Sequence, residues 1–143
     1  ALGWIVWAER IRLNPGEVAL MRVRAHRRLG DFVRVREQLL AAQKAGVPRK
    51  RLEQEQVLVL AQSAQMQLAE PHLAELLDRQ EIPVDEVCTA YASGFLLTAR
   101  PGEALRLIDA WLKDEPKNPE AYYLRGQSHA LGRQFRESIQ DFE

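Results

Sequence analysis

Three histidines, one cysteine and a close pair of glutamates are the side chains of this 143-residue chain that could carry acid–base, nucleophilic or metal chemistry. His26, His72 and His129 are dozens of positions apart, whereas metal sites draw ligands from short, characteristic spacings. No H-E-x-x-H, paired cysteine, phosphate loop or dinucleotide fingerprint occurs. Glu53 and Glu55 stand two apart on a helical pattern, which points their carboxylates away from each other rather than at one substrate. Cys88 has no base beside it and reads as a small residue on a packed face. As the sole cysteine it cannot pair within the chain, which rules out dithiol redox chemistry in this chain and is compatible with a reducing compartment. These residues predict no catalytic group, no metal and no cofactor, and no small-molecule substrate.

Charge is the more informative chemistry. The formal net charge is zero, but residues 1–51 hold twelve Lys or Arg and four Asp or Glu, a net +8, and residues 52–143 hold eight and sixteen, a net −8. Arg22, Arg24, Arg27 and Arg28 form a dense basic cluster whose N–H donors suit an acidic segment or a chain-terminal carboxylate. Arg49-Lys50-Arg51 extends the basic third. A polyanion or nucleic acid would bind such a stretch with a steep salt dependence, but no aromatic residues alternate with these arginines to stack bases, which speaks against nucleic acid. Opposite charge at the two ends also permits head-to-tail self-assembly.

The elements that must position these groups are helical. Prolines at 15, 48, 83 and 116 recur at separations of 33, 35 and 33, and two helical patterns lie between each pair. The first unit predicts helices over 17–29 and 32–45, ended by Gly30 and Gly46, since glycine adopts the left-handed conformation cheaply. In the second unit Val57, Leu58 and Ala61 share a face, as do Leu73, Ala74, Leu76 and Leu77. Pro71 is tolerated in a first turn, so that unit's second helix is expected to begin near Glu70. The third unit predicts helices over 85–98 and 101–113, with Ala104, Leu105, Ile108 and Trp111 on one stripe. The fourth opens on the cap Asn118-Pro119-Glu120, turns at Gly132 and starts a second helix at Phe135. Hairpins of this length cannot cover their own apolar stripes, so each needs the next.

Residues 1–15, with Trp4, Trp7 and Ile11, read as the second helix of a preceding unit, and both ends look cut. The apolar run Ala1–Ala8 is far short of the roughly 20 residues a span needs, although its tryptophans also suit the trailing edge of an upstream anchor. With 46% hydrophobic and 28% charged residues the composition is that of a soluble domain, the cytoplasm being favoured and a membrane-tethered parent also compatible.

This pattern resembles the tetratricopeptide repeat, whose signature is W-x2-L-G-x2-Y, A-x3-F and a proline within 34 residues. Unit four carries Tyr122-x2-Arg125-Gly126-x2-His129 and Ser138-x3-Phe142; unit three carries Cys88-x2-Tyr91-Ala92-x2-Phe95, Ala104-x3-Ile108 and Pro116. Unit one carries Ala19-x2-Arg22-Val23-x2-His26, Gly30, Val35-x3-Leu39 and Pro48; unit two keeps Val57-Leu58-x2-Ala61, Ala74 and Pro83. No unit carries the whole signature. The resemblance implies an all-α, right-handed solenoid of antiparallel helix pairs with about four repeats, 16–50, 51–84, 85–118 and 119–143, in one domain. It implies that Gly126 and Ala92 allow close helix approach. Tyr91, Phe95, Trp111, Tyr122 and Phe142 would plug gaps between units, and His26 and His129 would fill the repeat's aromatic position.

It further implies a protein-binding scaffold whose concave face, lined by the first helix of each unit, grips a peptide or partner segment. The residues on that face would be Leu20, Arg24, Arg27 and Arg28; Glu55, Val59, Gln62 and Ser63; Thr89, Ser93 and Leu96; and Tyr123, Gln127 and Ala130. Val59 and Leu96 would be apolar on a wet face, a combination that marks contacts. The arginines do not match the lysine–asparagine set of the carboxylate-clamp members of this family.

Overall fold

The structure, a computed structural model, describes residues 14–141, with side chains through Arg136. These residues are helical throughout and contain no strand. The segment with Trp4, Trp7 and Ile11, and Phe142, lie outside them.

The helices are α1 (Pro15–Arg28), α2 (Phe32–Lys44), α3 (Arg49–Gln62), α4 (Met66–Ala69), a 3-10 turn (Glu70–His72), α5 (Leu73–Arg79), α6 (Val84–Leu97), α7 (Pro101–Asp114) and α8 (Pro119–Asp141). Neighbouring helices pack in pairs, and α1 also meets α3, α3 meets α6 and α6 meets α8.

Their starts follow from local chemistry. Asn14 accepts from the Gly16 N–H at 2.8 Å, Asp31 from the Arg34 N–H at 3.2 Å, and Asn118 from the Glu120 and Ala121 N–H groups at 3.0 and 3.3 Å, each occupying donors that the first turn leaves without a partner. Pro15 and Pro101 stand in first turns, where no N–H is needed.

Their ends repeat. Gly30, Ala64 and Ala99, at φ +74°, +69° and +59°, end α1, α3 and α6 in the left-handed conformation. The residue after each donates back to a carbonyl five positions earlier: Asp31 to His26, Gln65 to Leu60 and Arg100 to Phe95, at 3.0, 2.8 and 2.8 Å. This is the double-bonded C-terminal cap, and Gly46 makes it again after α2, with Val47 donating to Ala42 at 3.1 Å, so glycine and alanine each make it twice. Gln80 is left-handed at the turn that follows α5.

Two expectations are corrected. The second unit's second helix begins at Met66, so Pro71 falls inside it and not in its first turn; lacking an N–H, it breaks the ladder into the 3-10 turn at Glu70–His72. Arg100 braces that break, donating to both oxygens of Glu70 at 2.9 and 2.6 Å. And α8 runs unbroken from Pro119 to Asp141 with no turn at Gly132 and no new helix at Phe135. Glycine permits a turn without compelling one, and here no proline or cap follows it.

Among the described residues most of the core lies in two clusters, with Val18, Val23 and Val35 of α1 and α2 buried outside them. The larger joins α3 through α8 around Tyr91, Ile108 and Trp111; the smaller comprises Ala19, Leu20, Ala42 and Leu52, with Leu39 and Val47 against it. Ala92 is buried in the larger cluster, and the Tyr91 hydroxyl donates to the Ala69 carbonyl. The close helix approach occurs at Gly94 rather than Gly126: a Cβ there would stand 2.3 Å from the Ala61 carbonyl oxygen, whereas nothing lies within 4 Å of one at Gly126. Tyr122 is exposed, its hydroxyl donating to the Pro116 carbonyl at 2.7 Å, and so plugs no gap. Ala74 is also exposed, since the break at Pro71 resets the phase of the helix that follows.

Candidate functional site

The arginines of α1 do not face solvent as a free basic patch. Arg24 Nε donates to Glu55 Oε1 at 3.1 Å. Arg27, whose residue is wholly buried, donates from Nη1 to Gln62 Oε1 at 3.1 Å and from Nη2 to Glu86 Oε2. Arg28 donates to Glu86 Oε1 at 3.0 and 3.2 Å and to both oxygens of Glu120 at 2.8 Å, with Asp85 at 3.7 Å. One end of α1 is thereby joined to α3, α6 and α8, and the positive and negative parts of the sequence neutralise each other inside the chain. Desolvation lowers the Arg27 guanidinium's pKa, against the pull of Glu86 and Glu55. Burial raises the Glu55 carboxyl, against the pull of Arg24 and Arg27. Arg27 Nε and Glu55 Oε2 make no hydrogen bond among the described residues.

The expected concave-face residues therefore separate into four groups. Leu20, Arg27, Glu55 and Thr89 are buried and present no surface, because core packing covers Leu20 and Thr89 and the ionic network closes over Arg27 and Glu55. Arg24, Arg28 and the half-buried Gln62 belong to that network. Ser93 and Leu96 are half-buried, Leu96 against the larger core, while Tyr123 is 65% exposed and accepts from Gln127 Nε2 at 3.0 Å, with Ala130 exposed on the same helix.

Val59 and Ser63 line something else, an open groove of about 530 Å³ between α2 and α3. Its walls are Phe32, Val35, Arg36 and Leu39 on α2 and Gln56, Val59, Leu60 and Ser63 on α3, with Gln65 at one end. Each wall is one helix face, at the i, i+3, i+4, i+7 spacing. Both stretches lie away from the 45–48 connection, and Leu39 also packs on the small core, as does Val47 in that connection. The Ser63 hydroxyl donates to the Val59 carbonyl at 2.8 Å, so its polarity is satisfied by its own helix.

The histidines and the cysteine, whose side chains could have carried chemistry, are dispersed or enclosed. His26 is buried, His72 and His129 are exposed on other helices, and the described residues bring no group of three His, Cys, Asp or Glu together as metal ligands. Burial, helped by Glu115, Asp85 and Asp114, pushes the Cys88 thiol up to about 12, which keeps it protonated at neutral pH. Among the described residues no helix is long and apolar enough to cross a membrane.

Sequence reasoning does not pick out Phe32, Leu39, Gln56 or Leu60 as site residues; the signal for them is the shared four-position spacing on two consecutive helices. Nothing local points to Glu86 and Glu120 as partners of Arg27 and Arg28, which they meet across 59 and 92 residues.

Compared with known proteins, the chain matches no family model, no curated protein and no solved structure.

Proposed function

We propose that this chain is a protein-binding scaffold, a tetratricopeptide-like stack of helical hairpins whose partner sits in the α2–α3 groove. The left-handed cap recurring at Gly30, Ala64 and Ala99 supports the repeat, as does the contact of each unit's first helix with the next. The observation that carries binding is the groove itself: Phe32, Leu39, Val59 and Leu60 are only half-buried, on a seam of a kind that a stacked array elsewhere closes.

The concave face is a weaker candidate, because Glu55, Glu86 and Glu120 already occupy the arginine donors an acidic partner would need. The same pairing removes much of the charge that polyanion binding or head-to-tail assembly would use.

A partner co-purified with the chain provides the test. Val59→Asp is expected to abolish its recovery, while Ala130→Asp, on the exposed surface of α8, leaves it unchanged. Equal recovery with both variants would move the binding surface away from the groove.

A further inference from the structure

We propose that the α2–α3 groove takes one face of an amphipathic helix about two turns long, with an acidic side chain set against Arg36. This rests on the scaffold reading and specifies the partner's chemistry.

The shape favours a helix. The two walls are stretches of eight residues, 32–39 and 56–63, each about 11 Å from first to last at 1.5 Å per residue. They are faces of two consecutive helices with open space between them. A third helix packs into such a groove by seating its ridge between theirs, with apolar side chains at i, i+3 or i+4, and i+7. An extended strand would set most of its backbone N–H and C=O groups over Phe32, Leu39, Val59 and Leu60, with only the side chains of Arg36, Gln56 and Gln65 at the rim to bond them. A helix arrives with those groups already paired.

The charge favours an acid. Among the described residues Arg36 is the only charged side chain lining the groove. It is exposed and makes no ion pair or hydrogen bond among the described residues, unlike Arg34 beside it, which pairs with Asp31 at 3.3 Å. The neutral amides Gln56 and Gln65 complete the rim. Outside Arg36 the surface of α2 turns apolar again, with Val33 and Leu40 both more than half exposed, one helical step round from the groove. A partner helix seated in the groove thus meets apolar surface, then one cation, then apolar surface, and an Asp or Glu beside its leucine stripe matches that order.

The experiment uses the whole chain as bait for a phage-displayed library of random 16-residue peptides. Enriched peptides are then synthesised with a fluorescein label and titrated by anisotropy. The expected peptides carry apolar residues at helical spacing with a flanking Asp or Glu, and gain helical circular dichroism on binding. Val59→Asp should weaken them by more than about tenfold. Arg36→Glu, an exposed change that spares the fold, should weaken them about three- to fivefold, and a peptide with Lys in place of its acid should recover that loss.

Val59-dependent peptides without helical spacing, or rich in Lys and Arg, would overturn the proposal. So would sedimentation showing that the chain alone forms a dimer that Val59→Asp dissociates, since the occupant would then be a second copy. Peptides indifferent to Val59 and Arg36 but lost on Tyr123→Ala would reject this groove and leave the scaffold reading standing. No enrichment over an unrelated helical bait would reject both.

Discussion

The pair α1–α2 and the group α3–α8 are both made of packed neighbouring helices and are held by different forces. In the larger group Tyr91, Ile108 and Trp111 bury their side chains among residues of several helices, and Gly94 lets α6 approach the end of α3 closely. The smaller pair buries Val18, Val23 and Val35 beside a cluster of Ala19, Leu20 and Ala42 that Leu52 of α3 completes, with no aromatic side chain among them. Besides the contact of Leu52 with that cluster, what ties α1 to the rest is ionic: Arg51 of α3 onto Glu17, and the fan of Arg24, Arg27 and Arg28 onto Glu55, Gln62, Glu86 and Glu120. Apolar burial stabilises in proportion to area and tolerates many residue choices. A buried ion pair gains little net energy, because desolvation offsets attraction, but it demands one geometry. The first unit is therefore placed specifically and attached weakly, and the groove lies at that seam.

The largest expected effect tests the apolar half of this contrast. Trp111→Ala removes a side chain 1% exposed, together with its indole N–H bond to Glu115 at 3.0 Å, and should cost about 3–5 kcal/mol in urea unfolding. Amide exchange should accelerate most in α6, α7 and α8. Equal acceleration in α1 and α2 would mean that the two clusters unfold as one and that the contrast is only geometric.

Next in size, Arg27→Met keeps the volume and removes the buried charge, leaving Glu55 and Glu86 facing each other without it. A loss of about 2–3 kcal/mol is expected, below the full cost of breaking a buried pair because Glu86 retains some contact with water. Here the amides of α1 and α2 should exchange faster through an opening that leaves α6–α8 protected. Protection lost evenly along the chain would show that the network supports the whole fold, and not one seam.

The same contrast explains how much of the molecule is legible in its sequence. Prolines at 15, 48, 83 and 101, and the caps at Asn14, Asp31 and Asn118, act within a turn of the helices they start, so most helix boundaries follow from local chemistry. The long-range contacts do not. Arg27 and Arg28 look like an exposed basic run because the glutamates that neutralise them are remote in sequence, and the family register then places them on an open face. Val59 stands out as apolar on a wet face, and it lines a groove, but one between α2 and α3 whose far wall the register does not supply. Gly94 gives no signal because it stands mid-helix, where its use depends on the Ala61 backbone arriving from another element. Pro71 and Gly132 mislead in opposite senses: a helix begins before the proline and runs through the glycine.

The smallest expected effect turns on the cap that the two regions share. In α1–α2 glycine holds the left-handed position, Gly30 after α1 and Gly46 after α2; in the larger group Ala64 and Ala99 hold it in the same cap, at φ +69° and +59°. A Cβ in that conformation crowds the following carbonyl at a cost of about 1–2 kcal/mol, which glycine avoids while losing more backbone entropy on folding. Ala99 is exposed, so its methyl has little packing to forfeit. Ala99→Gly should therefore raise stability by about 0.5–1 kcal/mol, seen as a thermal midpoint a few degrees higher, and Gly30→Ala should lower it by a similar amount. If Ala99→Gly instead lowers the midpoint, the turn between α6 and α7 is held by more than its cap. The Arg100 side chain, which reaches Glu70 and Glu103 and lies over the Phe95 ring at 4.9 Å, would then be the contact to remove next.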